Sequence, residues 1–145
     1  MGTLYIAVPS DRPTRDWLAE IDAPVPDASD GRLPTEAEIR LTLSELSGYG
    51  VRYWDDGPKC VAEISWAAEP THGPWASLVF PKQDEIPTEK SHLGFRKGWP
   101  ELIVLILHKL TKIAGPLVLI PDTGAEPLLV YSAADPTGLV GDWEG

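Results

Sequence analysis

The alternation of apolar and polar residues predicts most of the strands in this chain. From residue 59 to residue 67 every second side chain is apolar, which is typical of a strand with one buried face: Cys60, Ala62, Ile64 and Trp66. A second β-rich run, Tyr49–Trp54, precedes it, and the turn residues 55–58 between the two runs predict an antiparallel hairpin. Further strands are expected over residues 3–8, 75–80, 117–120 and 128–131, with a short edge strand over 92–96.

Helical periodicity predicts two main helices and one shorter helix. Thr35 and Glu38 have the spacing of a capping box, and the apolar residues that follow share one helix face: Ile39, Leu43 and Leu46. The other main helix is expected from Pro100, which suits the first helical turn, to about residue 114, where a glycine and a proline follow. The shorter helix is expected to begin at Thr14.

This order of elements predicts a single α+β domain over residues 1–145. Hairpins and a few helices without strict strand–helix–strand alternation favour an antiparallel sheet of five to six strands, with the two main helices packed on one face. Fifteen prolines and thirteen glycines are spread along the chain and indicate frequent loops between these elements.

A large acidic excess limits the partners that this protein can have. The chain has 22 acidic and 12 basic residues, which gives a formal net charge of −10 at pH 7. The excess is uneven, because 1–48, 49–72 and 122–145 are each net acidic whereas 73–121 carries four acids and six bases. A field of this sign disfavours nucleic acid and anionic membranes as partners and favours a basic protein surface.

Cysteine content and hydropathy indicate the compartment. Cys60 is the only cysteine, so the chain forms no internal disulfide, which suits a reducing environment. The longest apolar run covers only residues 102–107, and the first residues lack the cationic and apolar regions of a signal peptide. We therefore expect a cytoplasmic protein.

The candidate binding residues are carboxylates in the predicted loops and in the hairpin. A proline-rich loop over 23–34 carries some of them, and the hairpin and the residues after it carry the others: Asp27, Asp30, Asp55, Asp56, Glu63 and Glu69. Together with the net charge, they predict a small acidic protein-binding module rather than an enzyme. Its most concrete form is an immunity or antitoxin-like inhibitor, which covers a basic partner protein such as a toxin and needs neither a catalytic residue nor a cofactor.

Two functions of other classes stay open. The first is a small enzyme or ligand-binding domain whose site is assembled from distant residues, namely His72 or His92 with Glu63, Asp84, Glu85 or Glu89. The second is a homo-oligomeric structural component, with a homodimer formed through Val104 and Leu105 or through exposed tryptophans. A concave site that holds a histidine and a carboxylate would favour the first, and dimerisation that is insensitive to salt would favour the second.

Other chemically interesting residues are better explained by structure. The three histidines lack the spacing of metal ligands, so no metal site is predicted. Cys60 lies on the apolar side of its strand, where we expect an inert thiol, and we expect each of the six tryptophans to pack in the core. The run Asp122–Ala125 is similar to the Asp-Thr-Gly-Ala signature of retroviral-type aspartic proteases, but Pro121 interrupts the strand before it, and a hairpin turn accounts for it.

Overall fold

The computed structural model describes residues 5–10, 12–21, 32–68, 73–82, 93–121 and 127–130. In chain order the elements are β1 (Tyr5–Pro9), α1 (Arg12–Glu20), α2 (Glu36–Ser44), β2 (Tyr49–Asp56), β3 (Lys59–Trp66), β4 (Trp75–Pro81), β5 (Leu93–Gly98), α3 (Pro100–Ala114), β6 (Leu117–Pro121) and β7 (Leu128–Val130). The first helix begins at Arg12, two residues before the predicted start at Thr14.

The strands of the described chain form one sheet in the order β2-β3-β4-β5-β1-β6-β7, with every neighbouring pair antiparallel. This confirms the predicted α+β class, with seven strands in place of the five to six expected. The main difference concerns β5, which was predicted at an edge but pairs with both β4 and β1. Its Leu93 and Phe95 are fully buried, and an interior strand provides that burial better than an edge strand.

The main core lies between α2, α3 and one face of the sheet, here called the helix face. Alternate residues of the strands contribute to it, for example Cys60, Ala62 and Ile64 in β3, and Ala76, Leu78 and Phe80 in β4. The opposite face, called the second face, holds the residues between them, among which Val61 and Val79 are also buried. The β2–β3 hairpin is therefore anchored through β3, which pairs with β4 along seven residues and buries side chains on both of its faces.

The N-terminus of α2 has the capping box that the sequence predicts. The Thr35 hydroxyl accepts a hydrogen bond from the Glu38 backbone N–H at 3.2 Å, and the Glu38 carboxylate accepts one from the Thr35 N–H at 2.9 Å. Arg32 donates two hydrogen bonds to the same carboxylate, at 2.7 and 2.8 Å, and its backbone N–H donates to the Ala114 carbonyl at the end of α3. The cap therefore fixes the start of α2 against the end of α3.

The connection from α2 to β2 depends on a glycine. Gly48 has a φ of +83°, which side chains with a Cβ rarely adopt, and a Cβ there would lie 2.7 Å from the Trp66 ring. The indole of Trp66 in turn packs edge-to-face against Tyr49, with ring centroids 5.0 Å apart. This close approach sets where β2 begins beside β3.

Candidate protein-binding site

The β2–β3 hairpin positions three of the predicted binding residues. A two-residue turn, Gly57 and Pro58, joins the strands, and Gly57 has the positive φ of 61° that such a turn requires. Asp55 pairs with Cys60 and Asp56 with Lys59, and consecutive strand residues point to opposite faces. The tip of the hairpin therefore presents one carboxylate on the helix face and the next on the second face.

Asp55 forms an ion pair on the helix face. Its Oδ2 lies 3.4 Å from Nζ of Lys82, the residue that follows β4. The Asp55 side chain remains 75% exposed. It therefore keeps acceptor sites that point into solvent and are open to another cation.

Asp56 forms a shorter ion pair on the second face. Its Oδ2 accepts a hydrogen bond from Nη2 of Arg96 in β5 at 2.7 Å, and both side chains are about half exposed. Glu63, in the middle of β3, accepts a bond of 2.8 Å from Nη2 of Arg52, its cross-strand neighbour in β2. We call Asp55, Asp56 and Glu63 the hairpin carboxylates.

The ion pairs change the electrostatic picture that the sequence suggests. Each hairpin carboxylate has a cation of this same chain within 4 Å, so the hairpin is less acidic than a count of its acids implies. Exposed pairs of this kind contribute only about 0–1 kcal/mol, because water screens them and two long side chains must be ordered. Replacing one of these pairs, or adding a further cation to it, therefore costs little free energy.

The other residues predicted for a site lie outside the described residues. This applies to the loop carboxylates Asp27, Asp30 and Glu69, and to both candidate histidines, His72 and His92, with Asp84, Glu85 and Glu89. It applies as well to the run 122–125. Of the six predicted binding residues, the structure thus places the three hairpin carboxylates.

A polar cluster beside the hairpin was not anticipated from the sequence. The guanidinium of Arg40 in α2 lies 4.2 Å from the centre of the Tyr53 ring, and Nε donates to Glu36 at 3.0 Å. Its Nη2 is also 3.6 Å from Sγ of Cys60. The spacing of Glu36 and Arg40, one helical turn apart, was the only signal of this cluster in the sequence.

Burial controls the chemistry of the groups in that cluster. Cys60 is 1% exposed, as expected for the apolar side of β3, and burial raises the pKa of its thiol despite the opposing effect of Arg40. Burial likewise raises the pKa of the Tyr53 hydroxyl. Both groups therefore stay protonated at neutral pH, and Cys60 is a packing residue rather than a nucleophile.

The tryptophans are less buried than expected. Trp17, Trp54 and Trp99 are 37%, 42% and 42% exposed, so the expectation of core packing is wrong for these three. Trp54 is on β2, where it occupies the second face between Arg52 and Asp56. A large aromatic residue flanked by charges on a strand is a typical element of a protein interface.

The apolar contact expected on α3 is not at the surface. Val104 is fully buried in the core, and Leu105 packs against the core as a partly buried residue. Val104 and Leu105 therefore do not form the exposed apolar contact that was expected of them. The reason is that α3 lies across several strands and is covered by α2 as well.

Within the described residues, no group of three or more potential ligands has the arrangement of a metal site. Among the described helices, none has the length and apolar character needed to cross a membrane. Comparison with protein-family models, with curated proteins and with solved structures finds no match.

Proposed function

We propose that this protein is a small acidic protein-binding module, in its most concrete form an immunity or antitoxin-like inhibitor that covers a basic partner protein. The observation that carries the proposal is the net charge of −10 together with the exposed hairpin carboxylates, of which Asp55 and Asp56 stand at the tip of a well-supported hairpin. Binding rather than catalysis is the activity proposed, and no cofactor is part of it. Its single cysteine, a free buried thiol, is compatible with the cytoplasm as its compartment.

The acidic net charge and the hairpin carboxylates both favour rapid association with a basic protein. The acidic field increases the rate at which a cationic partner arrives, and the regular hairpin presents its carboxylates at an exposed tip. At contact, basic side chains of the partner take up the outward acceptor positions of Asp55 and Asp56. Lys82 and Arg96 then act as the inner cations of a shared network.

The proposal is tested by affinity capture from the source cell with the purified protein at low and moderate salt. The hairpin variant Asp55→Asn with Asp56→Asn keeps the size of both side chains and removes both charges. A matched control, Asp16→Asn with Glu20→Gln, removes two charges from the exposed side of α1. We expect a basic protein to be enriched by the wild type and the control and much less by the hairpin variant, and equal capture by all three contradicts the proposed site.

A further inference from the structure

The inference concerns β2, which is an edge strand of the sheet. Within the described residues it pairs only with β3, and the register runs through eight consecutive residue pairs without a bulge. The strand contains no proline. Proteins usually protect a long edge with proline, bulges or very short strands, and the edge strand at the other side of this sheet, β7, has only three residues.

The backbone groups that face away from β3 follow from the hairpin geometry. The Gly48 carbonyl accepts a bond of 2.8 Å from the Ala67 N–H, so the even-numbered residues of β2 are those that bond to β3. The N–H and C=O groups of the odd-numbered residues Val51, Tyr53 and Asp55 point away from β3. These are the donors and acceptors that an additional antiparallel strand would use.

A second copy of this chain can supply that strand in only a few registers. A two-fold axis perpendicular to the sheet places one residue of β2 opposite itself. With Arg52 at the axis, two guanidinium groups oppose each other, which is unfavourable. With Tyr53 at the axis, Asp55 and Asp56 oppose Val51 and Gly50, so that neither carboxylate meets a cation.

The register centred on Trp54 is complementary in charge. It places Arg52 of each copy opposite Asp56 of the other, on the second face, with the two Trp54 rings between them. Within each copy, Arg52 already forms an ion pair with Glu63, and Asp56 forms one with Arg96. The contact therefore joins two internal ion pairs into a chain of four alternating charges, and it does so twice.

The helix face is complementary in the same register. Tyr53 then lies opposite Asp55 of the other copy, and the Arg40 guanidinium lies over the Tyr53 ring at 4.2 Å. The Arg40 and Asp55 side chains remain 42% and 75% exposed and are available to each other across the axis. The carboxylate of one copy thus meets a cation of the other on both faces of the sheet.

We propose that two copies of this chain form a dimer by antiparallel pairing of their β2 strands about a two-fold axis at Trp54. Two seven-stranded sheets become one continuous sheet, with hydrogen bonds between Tyr53 of each copy and Asp55 of the other. The contact buries Trp54, whose exposure in the single chain otherwise lacks a structural reason. This proposal goes beyond the proposed function and does not depend on it, although Asp55 and Asp56 belong to both surfaces, so a basic partner and a second copy compete for them.

Sedimentation and site-directed cross-linking test the dimer and its register with the protein alone. In a Cys60→Ala background, single cysteines replace Arg52, Tyr53 or Trp54, and disulfide formation is followed on non-reducing gels. Directly opposed residues of a non-hydrogen-bonded pair have Cα atoms about 4.5 Å apart, within disulfide range, so we expect the residue 54 variant to cross-link at least about tenfold faster than the other two. The wild type is expected to sediment with twice the mass of the chain. A monomer at all concentrations, or fastest cross-linking at residue 52 or 53, overturns the proposal.

Amide hydrogen exchange on the wild type provides a second measurement in which Trp54 is intact. The amides of Tyr53 and Asp55 are expected to exchange about tenfold more slowly at high than at low protein concentration. The amides of Gly50 and Arg52, which face β3, serve as the internal control and are expected to change much less. Exchange at Tyr53 and Asp55 that is independent of concentration contradicts the pairing.

Discussion

Arg96 in β5 and Asp56 in β2 are joined by an ion pair of 2.7 Å, although two strands of the sheet lie between them. Neighbouring strands are about 4.8 Å apart, so in a flat sheet β2 and β5 would be separated by about 14 Å. The contact therefore indicates that the sheet twists and curls, so that the hairpin tip approaches β5 on the second face. Val79 of β4 and Val61 of β3, which belong to the two intervening strands, are buried on the same face.

The first prediction separates the charge of Arg96 from its hydrocarbon stem. Arg96→Met keeps a long apolar side chain, and we expect it to lower the free energy of unfolding by less than about 1 kcal/mol, because the ion pair is exposed. Arg96→Ala also removes the aliphatic part of the side chain, which lies on the same face as the two buried valines, and should cost about 1 kcal/mol more. Urea unfolding measures both, and equal losses in the two variants would show that the stem contributes nothing.

The second prediction concerns the capping box and pH. The hydrogen bonds from Arg32, aided by Thr35, lower the pKa of Glu38 from its ordinary 4.5 to about 2. A pKa that is lower in the folded state stabilises the protein fully above the ordinary value, and this stabilisation is lost as the pH falls from about 5 through about 2. Glu38→Gln is therefore expected to cost about 1 kcal/mol at pH 7, discounted for solvent screening, and much less at pH 2.

Urea unfolding of wild type and Glu38→Gln at several pH values measures this difference. Glu45→Gln, a change at an exposed carboxylate after the same helix, is the matched control and should cost little at either pH. A Glu38→Gln penalty that does not change with pH would mean that the cap acts through shape alone.

The third prediction uses three glycines that differ in conformation and surroundings. Gly48→Ala combines a positive φ with a Cβ 2.7 Å from the Trp66 ring, so we expect a loss of more than about 2 kcal/mol. Gly57→Ala has a positive φ but open space, and should cost about 1–2 kcal/mol. Gly50 has neither a positive φ nor a close neighbour, so Gly50→Ala should hardly change the free energy of unfolding. Thermal or urea unfolding gives the order, and similar losses at all three positions would contradict the role given to Trp66.

The fourth prediction concerns Cys60. Because burial excludes reagents and raises the pKa of the thiol, we expect labelling by a thiol reagent to be at least about 100-fold slower in the native protein than in urea. Lys59→Cys with Cys60→Ala moves the thiol by one residue to an exposed position of the same strand and should react rapidly. Fast labelling of native Cys60 would show that α2 opens readily from the sheet.

The sequence predicts the elements of this fold better than their arrangement. Local signals are strong for the β2–β3 hairpin and for α2, where alternation and the Thr35–Glu38 spacing each specify one structure. The position of β5 depends on which strands its Leu93 and Phe95 meet in the folded chain, and no local pattern carries that information. Strand order is therefore the part of the fold that had to come from the structure.

The candidate site was also only partly predictable from the sequence. The hairpin carboxylates are evident in the sequence as acids near a turn, but their cations are distant along the chain. Arg96 is 40 residues from Asp56, and no spacing rule links two residues so far apart. The exposure of Trp54 was also unpredictable, because alternation places it on the second face without showing that this face is open at the edge strand.

The central claim is that the hairpin carboxylates guide a basic protein to this surface. It is tested most directly by the association rate constant between the purified protein and the basic protein that it captures, measured from about 20 mM to about 300 mM NaCl, a range over which screening becomes strong. We expect the wild-type rate constant to fall at least about tenfold over this range, and that of Asp55→Asn with Asp56→Asn to start lower and fall less, with dissociation changed only slightly. A rate constant that does not depend on salt, or one that is the same for wild type and variant, would contradict the account.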